Sequence, residues 1–165
     1  MRLRAGLPWV LGALAAWLAA GGCGPEIVVE RFQVTVAMVE RCSAHSTSDE
    51  TCSDPDPTTT TLPLVIETTD RSTLTLYATD PGDGTDRAYA GHRTGDAITA
   101  SRGTRNESDA GCIYTVNDEL ALTIAGDQIS GSQRRVSDEA GACNALGLRT
   151  VERTDWSWRG ARAAE

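Results

Sequence analysis

The feature that most constrains this chain is a two-residue alternation of apolar and polar side chains, recurring in short segments separated by turn residues. From Phe32, the residues Val34, Val36 and Met38 alternate with Gln33, Thr35 and Ala37; within Cys112–Ala125, Leu120, Leu122 and Ile124 alternate in the same way. Successive side chains of a strand point to opposite faces, so this spacing predicts half-buried strands; an amphipathic helix would need its apolar residues three and four apart. Leu62, Leu64 and Ile66 share one face, as do Leu74, Leu76 and Ala78 in Ser72–Thr79. Further strand candidates are Arg87–Arg93, Ala97–Arg102, Gln128–Ser137 and Leu146–Arg159, the last placing Leu146, Leu148, Trp156 and Trp158 on one parity. Between them lie Asp80-Pro-Gly-Asp-Gly-Thr-Asp86, Gly95-Asp96, a polar bend through Asn106, and Gly126-Asp127, which are turns by composition.

About eight strands with short connections, no helical pattern beyond the N-terminal segment and no internal repeat predict an all-β antiparallel meander, because a parallel crossover needs a dozen or more residues. Without helices to cover a sheet, the chain must close on itself or fold into two layers. An up-and-down barrel is expected, with a β-sandwich as the alternative. Residues 26–160 form one domain, followed by a short tail at 161–165. Ser53–Thr61 runs Ser-Asp-Pro-Asp-Pro and then four threonines; it is expected to be a disordered loop and not a domain boundary.

Five cysteines are an odd number for an exported protein. Setting Cys23 aside leaves Cys42, Cys52, Cys112 and Cys143, which allow three pairings. Cys42 with Cys52 and Cys112 with Cys143 are expected. If Cys112–Ala125 runs up and Gln128–Ser137 runs back, Cys143 returns to the end where Cys112 lies. The two loops would stabilise by about 3 and 4 kcal/mol in the chain-entropy estimate. No Cys-x-x-Cys spacing occurs and His45 is the sole nearby imidazole, so no zinc or other metal site is assigned.

The N-terminus has the parts of an export signal: Arg2 and Arg4, an apolar run from Leu7 to Ala20, and a small-residue end. The run is about 14 residues against the roughly 20 of a bilayer-crossing helix, and Pro8 and Gly12 interrupt it. Leu18-Ala19-Ala20-Gly21-Gly22-Cys23 resembles the lipobox of bacterial lipoproteins. That resemblance implies a signal peptide at 1–22, lipidation of Cys23, a short tether at 23–25 and a membrane partner held through acyl chains. Gly24, where aspartate would retain the protein at the inner membrane, implies the outer membrane of a bacterial cell envelope. Ala20 stands where leucine is usual, which leaves ordinary cleavage to a secreted or periplasmic soluble protein as the alternative. A second resemblance comes from Cys-Ile-Tyr-Thr at Cys112, Ala-Gly-Asp-Gln-Ile-Ser-Gly at Ala125, and the cysteine-bearing loop and last strand that follow. This third of the chain is similar to small lipocalin-like barrels of uncharacterised bacterial lipoproteins, and the likeness implies room for a small apolar or amphipathic ligand.

From Cys23 onward the 13 arginines face 23 acids and there is no lysine. Nucleic acid and anionic lipid surfaces are poor partners for such a chain. Nine acids and only Arg71 lie between Ser43 and Asp86, whereas six arginines lie between Arg134 and Arg162. The acidic 43–86 region is either solvated loop and strand face or the contact surface for an envelope protein partner.

Catalytic signals are thin. His45 and His92 are the only histidines, and no Gly-x-Ser-x-Gly elbow surrounds any serine, so no catalytic residue is assigned and a hydrolase is the weakest reading. Asp80, Asp83 and Asp86 suggest a calcium loop until their spacing is checked: an EF-type loop needs ligands at alternate positions and a glutamate at its twelfth, and Gly82 and Gly91 stand there. An acidic turn is expected instead. Trp156 and Trp158 point the same way from one strand and are either core or the wall of a ligand site. Arg134 and Arg135 face opposite sides, so at most one could meet a ligand carboxylate, and both are expected to be solvated. Asn106-Glu107-Ser108 fits a glycosylation sequon, which means little in a bacterial lipoprotein. The expected protein is a lipid-anchored envelope barrel that binds or serves structurally, without cofactor or catalysis.

Overall fold

The computed structural model describes residues 27–45, 48–55, 58–69, 72–108, 111–141, 143 and 148–164. The expected signal peptide at 1–22, Cys23, the expected tether at 23–25 and Leu146 lie outside them. All regular structure among the described residues is β, in nine strands: β1 (Val28–His45), β2 (Thr51–Ser53), β3 (Thr59–Thr68), β4 (Thr73–Thr79), β5 (Asp86–Thr94), β6 (Ala97–Glu107), β7 (Cys112–Ala125), β8 (Gln128–Gly141) and β9 (Thr150–Arg162). Every pairing is antiparallel. From β3 to β9 each strand pairs with the next, and β1 pairs with both β3 and β9. This closes an eight-stranded barrel and decides the alternative between barrel and sandwich. β2 is an extra strand laid against β1 beyond the reach of β3.

The strands are unequal, and that gives the barrel two different ends. At the lower end β1 begins and the Gly95-Asp96 and Gly126-Asp127 turns close their hairpins. At the upper end β3, β4 and β5 stop, while β6, β7, β8, β9 and β1 continue as a curved wall. The alternation read from sequence underestimates several of these elements, β8 among them, which runs past Ser137 to Gly141. β1 runs on through Cys42 to His45, because it pairs with β9 from Phe32 to His45. β6 continues through the polar bend to Glu107, backed by β7. The Cys42–Cys52 loop ends in the short strand β2, and Thr59–Thr61 of the expected loop at 53–61 belong to β3.

A bulge explains why periodicity missed the upper part of β1. The register shifts between Met38 and Glu40, leaving Val39 exposed as an extra residue. One inserted residue exchanges the faces of everything after it. Cys42 therefore points outward beside Arg153, where β2 covers it and Cys52 bonds to it. The second disulfide joins Cys112, at the start of β7, to Cys143 just past β8. Both disulfides match the expected pairing, and both lie at the upper end.

The inward positions carry Phe32, Val34, Val36, Leu64, Ile66, Leu74, Leu76, Tyr89, Ile98, Leu120, Leu122, Ile124, Ile129, Trp156 and Trp158, all buried. Each contributes about 1.5–3 kcal/mol on leaving water. Two glycines make room for this filling. Gly131 lies in register between Leu122 and Trp158, and a Cβ there would run into the Ala121 carbonyl oxygen and Leu122 Cα. Gly160 lies between Ile129 and Val34, and its Cβ would meet the Gln33 carbonyl oxygen. Outward positions are Thr35, Thr61, Thr99, Thr123, Ser130, Ser132, Ser157 and Arg159. A transmembrane barrel has the reverse arrangement, apolar outside and polar within. This barrel is built to stand in water around a solid core.

Candidate functional site

The lumen is closed at both ends by ion clusters of the same design. At the lower end Glu30 holds two guanidiniums, Arg93 Nη1 at 2.5 Å and Arg162 Nη2 at 3.0 Å, and Arg162 lies 5.1 Å from the centre of the Phe32 ring. At the upper end Arg135 joins two buried carboxylates: its Nε donates to Asp118 Oδ1 at 2.7 Å and its Nη2 to Asp80 Oδ2. Gln133 Nε2 donates to Asp118 at 3.2 Å, Arg87 Nε donates to Asp80 at 3.4 Å, and Arg102 approaches Asp118 at 3.8 Å. Arg135 also lies 5.4 Å from the Trp156 ring centre. Burial works against the Arg135 charge, but the hydrogen bonds to Asp80 and Asp118 outweigh it and hold the guanidinium more firmly protonated than usual. Beneath it, burial pushes the Tyr89 hydroxyl well above its ordinary pKa, and the charges of Asp118 and Asp80 push it further.

The acidic turn between β4 and β5 supplies part of this plug. Asp80 folds in, its Oδ1 accepts from the Gly82 N–H at 2.8 Å, and Gly82 packs so close to Arg135 that a Cβ would stand 3.1 Å from Nη1. Asp83 accepts from the Thr85 N–H and hydroxyl and from Arg87, and Asp86 accepts from the Thr79 hydroxyl. These carboxylates are answered by arginines and turn donors, as an acidic turn requires. Arg135 is the correction here: it is not solvated but a buried partner of two carboxylates, and Arg134 on the outer face donates to Asp155 at 2.8 Å. The signal for the cluster was parity. Asp118 falls on the inward register of Leu120, Leu122 and Ile124, and a charge there demands a buried partner.

Trp156 and Trp158 are core residues, 4% and 1% exposed. His45 Nδ1 lies 3.3 Å from the Thr150 hydroxyl at the upper rim, and His92 faces outward from β5, so the two histidines stand apart. Ligand atoms of Glu40, Cys42 and Cys52 lie within 4.8 Å of one another. The sulfurs are bonded to each other, and Arg153 Nη2 sits 2.6 Å from Glu40 and 3.0 Å from Cys42 Sγ, which leaves a cation no place. Asn106 and Ser108 of the sequon are exposed.

Two concave features with room for a ligand lie on the outside. A groove of about 770 Å³ crosses β4 to β9. Its wall is two cross-strand rows: Thr75, Ala90, Ser101, Glu119, Arg134 and Asp155, and beside it Thr73, His92, Thr99, Ala121 and Ser132. Small side chains at neighbouring positions in adjacent strands lower the surface there. Hydroxyls line it, with His92 at one side and the Glu119, Arg134 and Asp155 charges at the other. A smaller hollow of about 360 Å³ lies on the outer face of β3 to β5 beside Pro63, Val65 and Tyr77. Sequence reasoning missed the main groove because it depends on register between strands distant in the chain. Neither a protein-family model nor a curated protein matches this chain.

Proposed function

We propose that this protein is a lipid-anchored, non-catalytic binding component of a bacterial cell envelope whose working surface is the outside of the barrel. The observation that carries this reading is the contrast between a lumen filled by Trp156, Trp158 and Phe32, with ion clusters at both ends, and an outer groove in the size range of ligand sites. Two disulfides support an oxidising, extracytoplasmic compartment, in keeping with the export signal and Cys23. The scattered histidines and the absence of a nucleophile motif support binding over hydrolysis. A groove lined by hydroxyls and a carboxylate-rich rim suits a polar ligand or the backbone of a protein partner better than a lipid tail.

The acidic 43–86 region is the second reading. Asp80 and Asp83 are committed to arginines and Glu50 lies 3.7 Å from Arg153, but Asp49 and Asp54 are exposed in the Cys42–Cys52 region. A photo-crosslinking residue placed in intact cells at Ala121, on the groove floor, or at Asp49, on the upper rim, separates the two. Discrete products from position 121 that vanish with Ala90→Arg support the groove. Products from position 49 alone would move the contact surface to the acidic rim, and products from neither would leave a purely structural component.

A further inference from the structure

We infer that the lower pole of the barrel, led by Ile27, Val28 and Val29, sits on the lipid bilayer, so that the disulfide-bearing upper end points away from it. This rests on the reading of Cys23 as lipidated. Ile27, Val28 and Val29 are 57%, 49% and 39% exposed. Ile27, Val28 and Val29 are consecutive in the chain, whereas the other large exposed apolar side chains, Val39, Tyr77 and Tyr114, stand singly on separate strands. Val28 and Val29 are held in place, paired with Thr68 and Glu67 of β3, and they precede the start of the β9 pairing at Phe32. The strip therefore projects at the barrel rim as a fixed feature.

Two further observations name the occupant. Only four peptide steps separate Cys23 from Ile27, a reach of roughly 14 Å even fully extended. An acylated Cys23 must lie at the membrane surface, so the lower pole cannot stand far from it. The charges behind the strip are also answered by one another: Glu30 takes both Arg93 and Arg162, Arg162 reaches Asp127 at 3.4 Å, and the Arg162 backbone N–H donates to the Asp127 carbonyl at 2.7 Å. A Glu30 carboxylate already held by two guanidiniums loses less on approaching the headgroup layer than a bare one, and short apolar side chains beside arginines suit the boundary between headgroups and acyl chains. Seated this way, the outer groove faces sideways, parallel to the membrane plane and open to soluble or neighbouring anchored partners.

The test uses the full acylated protein in vesicles of phosphatidylethanolamine and phosphatidylglycerol at 3:1. A polarity-sensitive dye is attached through Val29→Cys or, at the opposite pole, Asp83→Cys. Quenching by lipids brominated near the headgroup should be at least threefold stronger at position 29 than at 83. With Ile27→Ser and Val28→Ser added, the difference should fall toward equality while the protein stays vesicle-bound through its acyl chains. Equal quenching at both sites in an acylated, vesicle-bound protein would overturn the orientation and leave the anchor intact. An intact mass without acyl chains would instead overturn the lipidation reading on which the inference rests. Dimerisation of a Cys23→Ala form that Ile27→Ser and Val28→Ser abolish would assign the strip to a second copy and also overturn the inference.

Discussion

The two ends of the barrel use the same chemistry at different depths. Each places carboxylate between arginines and lays one guanidinium over an aromatic ring, Phe32 below and Trp156 above. Below, Glu30 is 11% exposed and its partners Arg93 and Arg162 25% and 38%; above, Asp80 and Asp118 are fully buried and Arg135, which joins them, is 18% exposed. Depth decides what such a cluster does. Exposed ion pairs contribute about 0–1 kcal/mol, because water screens them and the side chains lose entropy. A buried pair is neutral to costly as a whole, yet removing one member strands a desolvated charge at about 3–5 kcal/mol. The lower cluster is a cover; the upper one fixes the β4–β5 turn, β7 and β8 in one arrangement.

The largest expected difference between the ends follows directly. Arg135→Ala leaves Asp80 and Asp118 buried without their main partner and should cost about 3–5 kcal/mol in urea unfolding, against about 1 kcal/mol or less for Arg162→Ala. Equal losses would show that burial does not separate the two clusters. The covalent contrast is next. Replacing Cys112 and Cys143 by serine should cost about 4 kcal/mol and the Cys42 and Cys52 pair about 3 kcal/mol. Hydrogen exchange after reduction should speed up in the upper wall of β7 and β8 before it does in the lower core. Uniform acceleration would mean that the ends open as one unit. Gly131→Ala, in the lower filling, should cost about 1–3 kcal/mol by overpacking against the Ala121 backbone; an unchanged midpoint would show that the sheet yields there.

The smallest effect is a pH dependence of the upper end. The Tyr89 hydroxyl has a folded pKa raised above its unfolded value. Its contribution is therefore fully present below about pH 10 and declines as pH rises past that, where the unfolded chain releases the proton and the folded one retains it. Stability should fall by about 1 kcal/mol between pH 10 and 11 through this group, and Tyr89→Phe should flatten that slope. An identical slope in the variant would place the alkaline sensitivity elsewhere.

The lower half was legible in the sequence for a physical reason. Its strands bury one face, so Phe32, Val34 and Val36, or Leu120, Leu122 and Ile124, must alternate, and short turns such as Gly126-Asp127 force antiparallel neighbours. The disulfides were legible because meander geometry brings Cys143 back to Cys112. The upper half was not. There the wall exposes both faces, so alternation loses its meaning in β1 after Val39, in β6 after Arg102 and in β8 after Arg135. The bulge at Val39 reverses parity without leaving a composition mark. The groove is harder still, since Ala90, Ser101, Ala121 and Ser132 become neighbours only through pairing of four strands. Trp156 and Trp158 were recognisable as an inward pair; their burial came from closure of the barrel around them.

The most direct test of a filled barrel that binds on its outside is acrylamide quenching of tryptophan emission in a chain of residues 23–165, in which Trp156 and Trp158 are the only reporters. The expected result is blue-shifted emission, weak quenching, and no change on adding fatty acid or a hydrophobic dye. Ready quenching, or an emission shift on titration with those ligands, would mean that the lumen admits them and would contradict the outer surface as the place where this protein works.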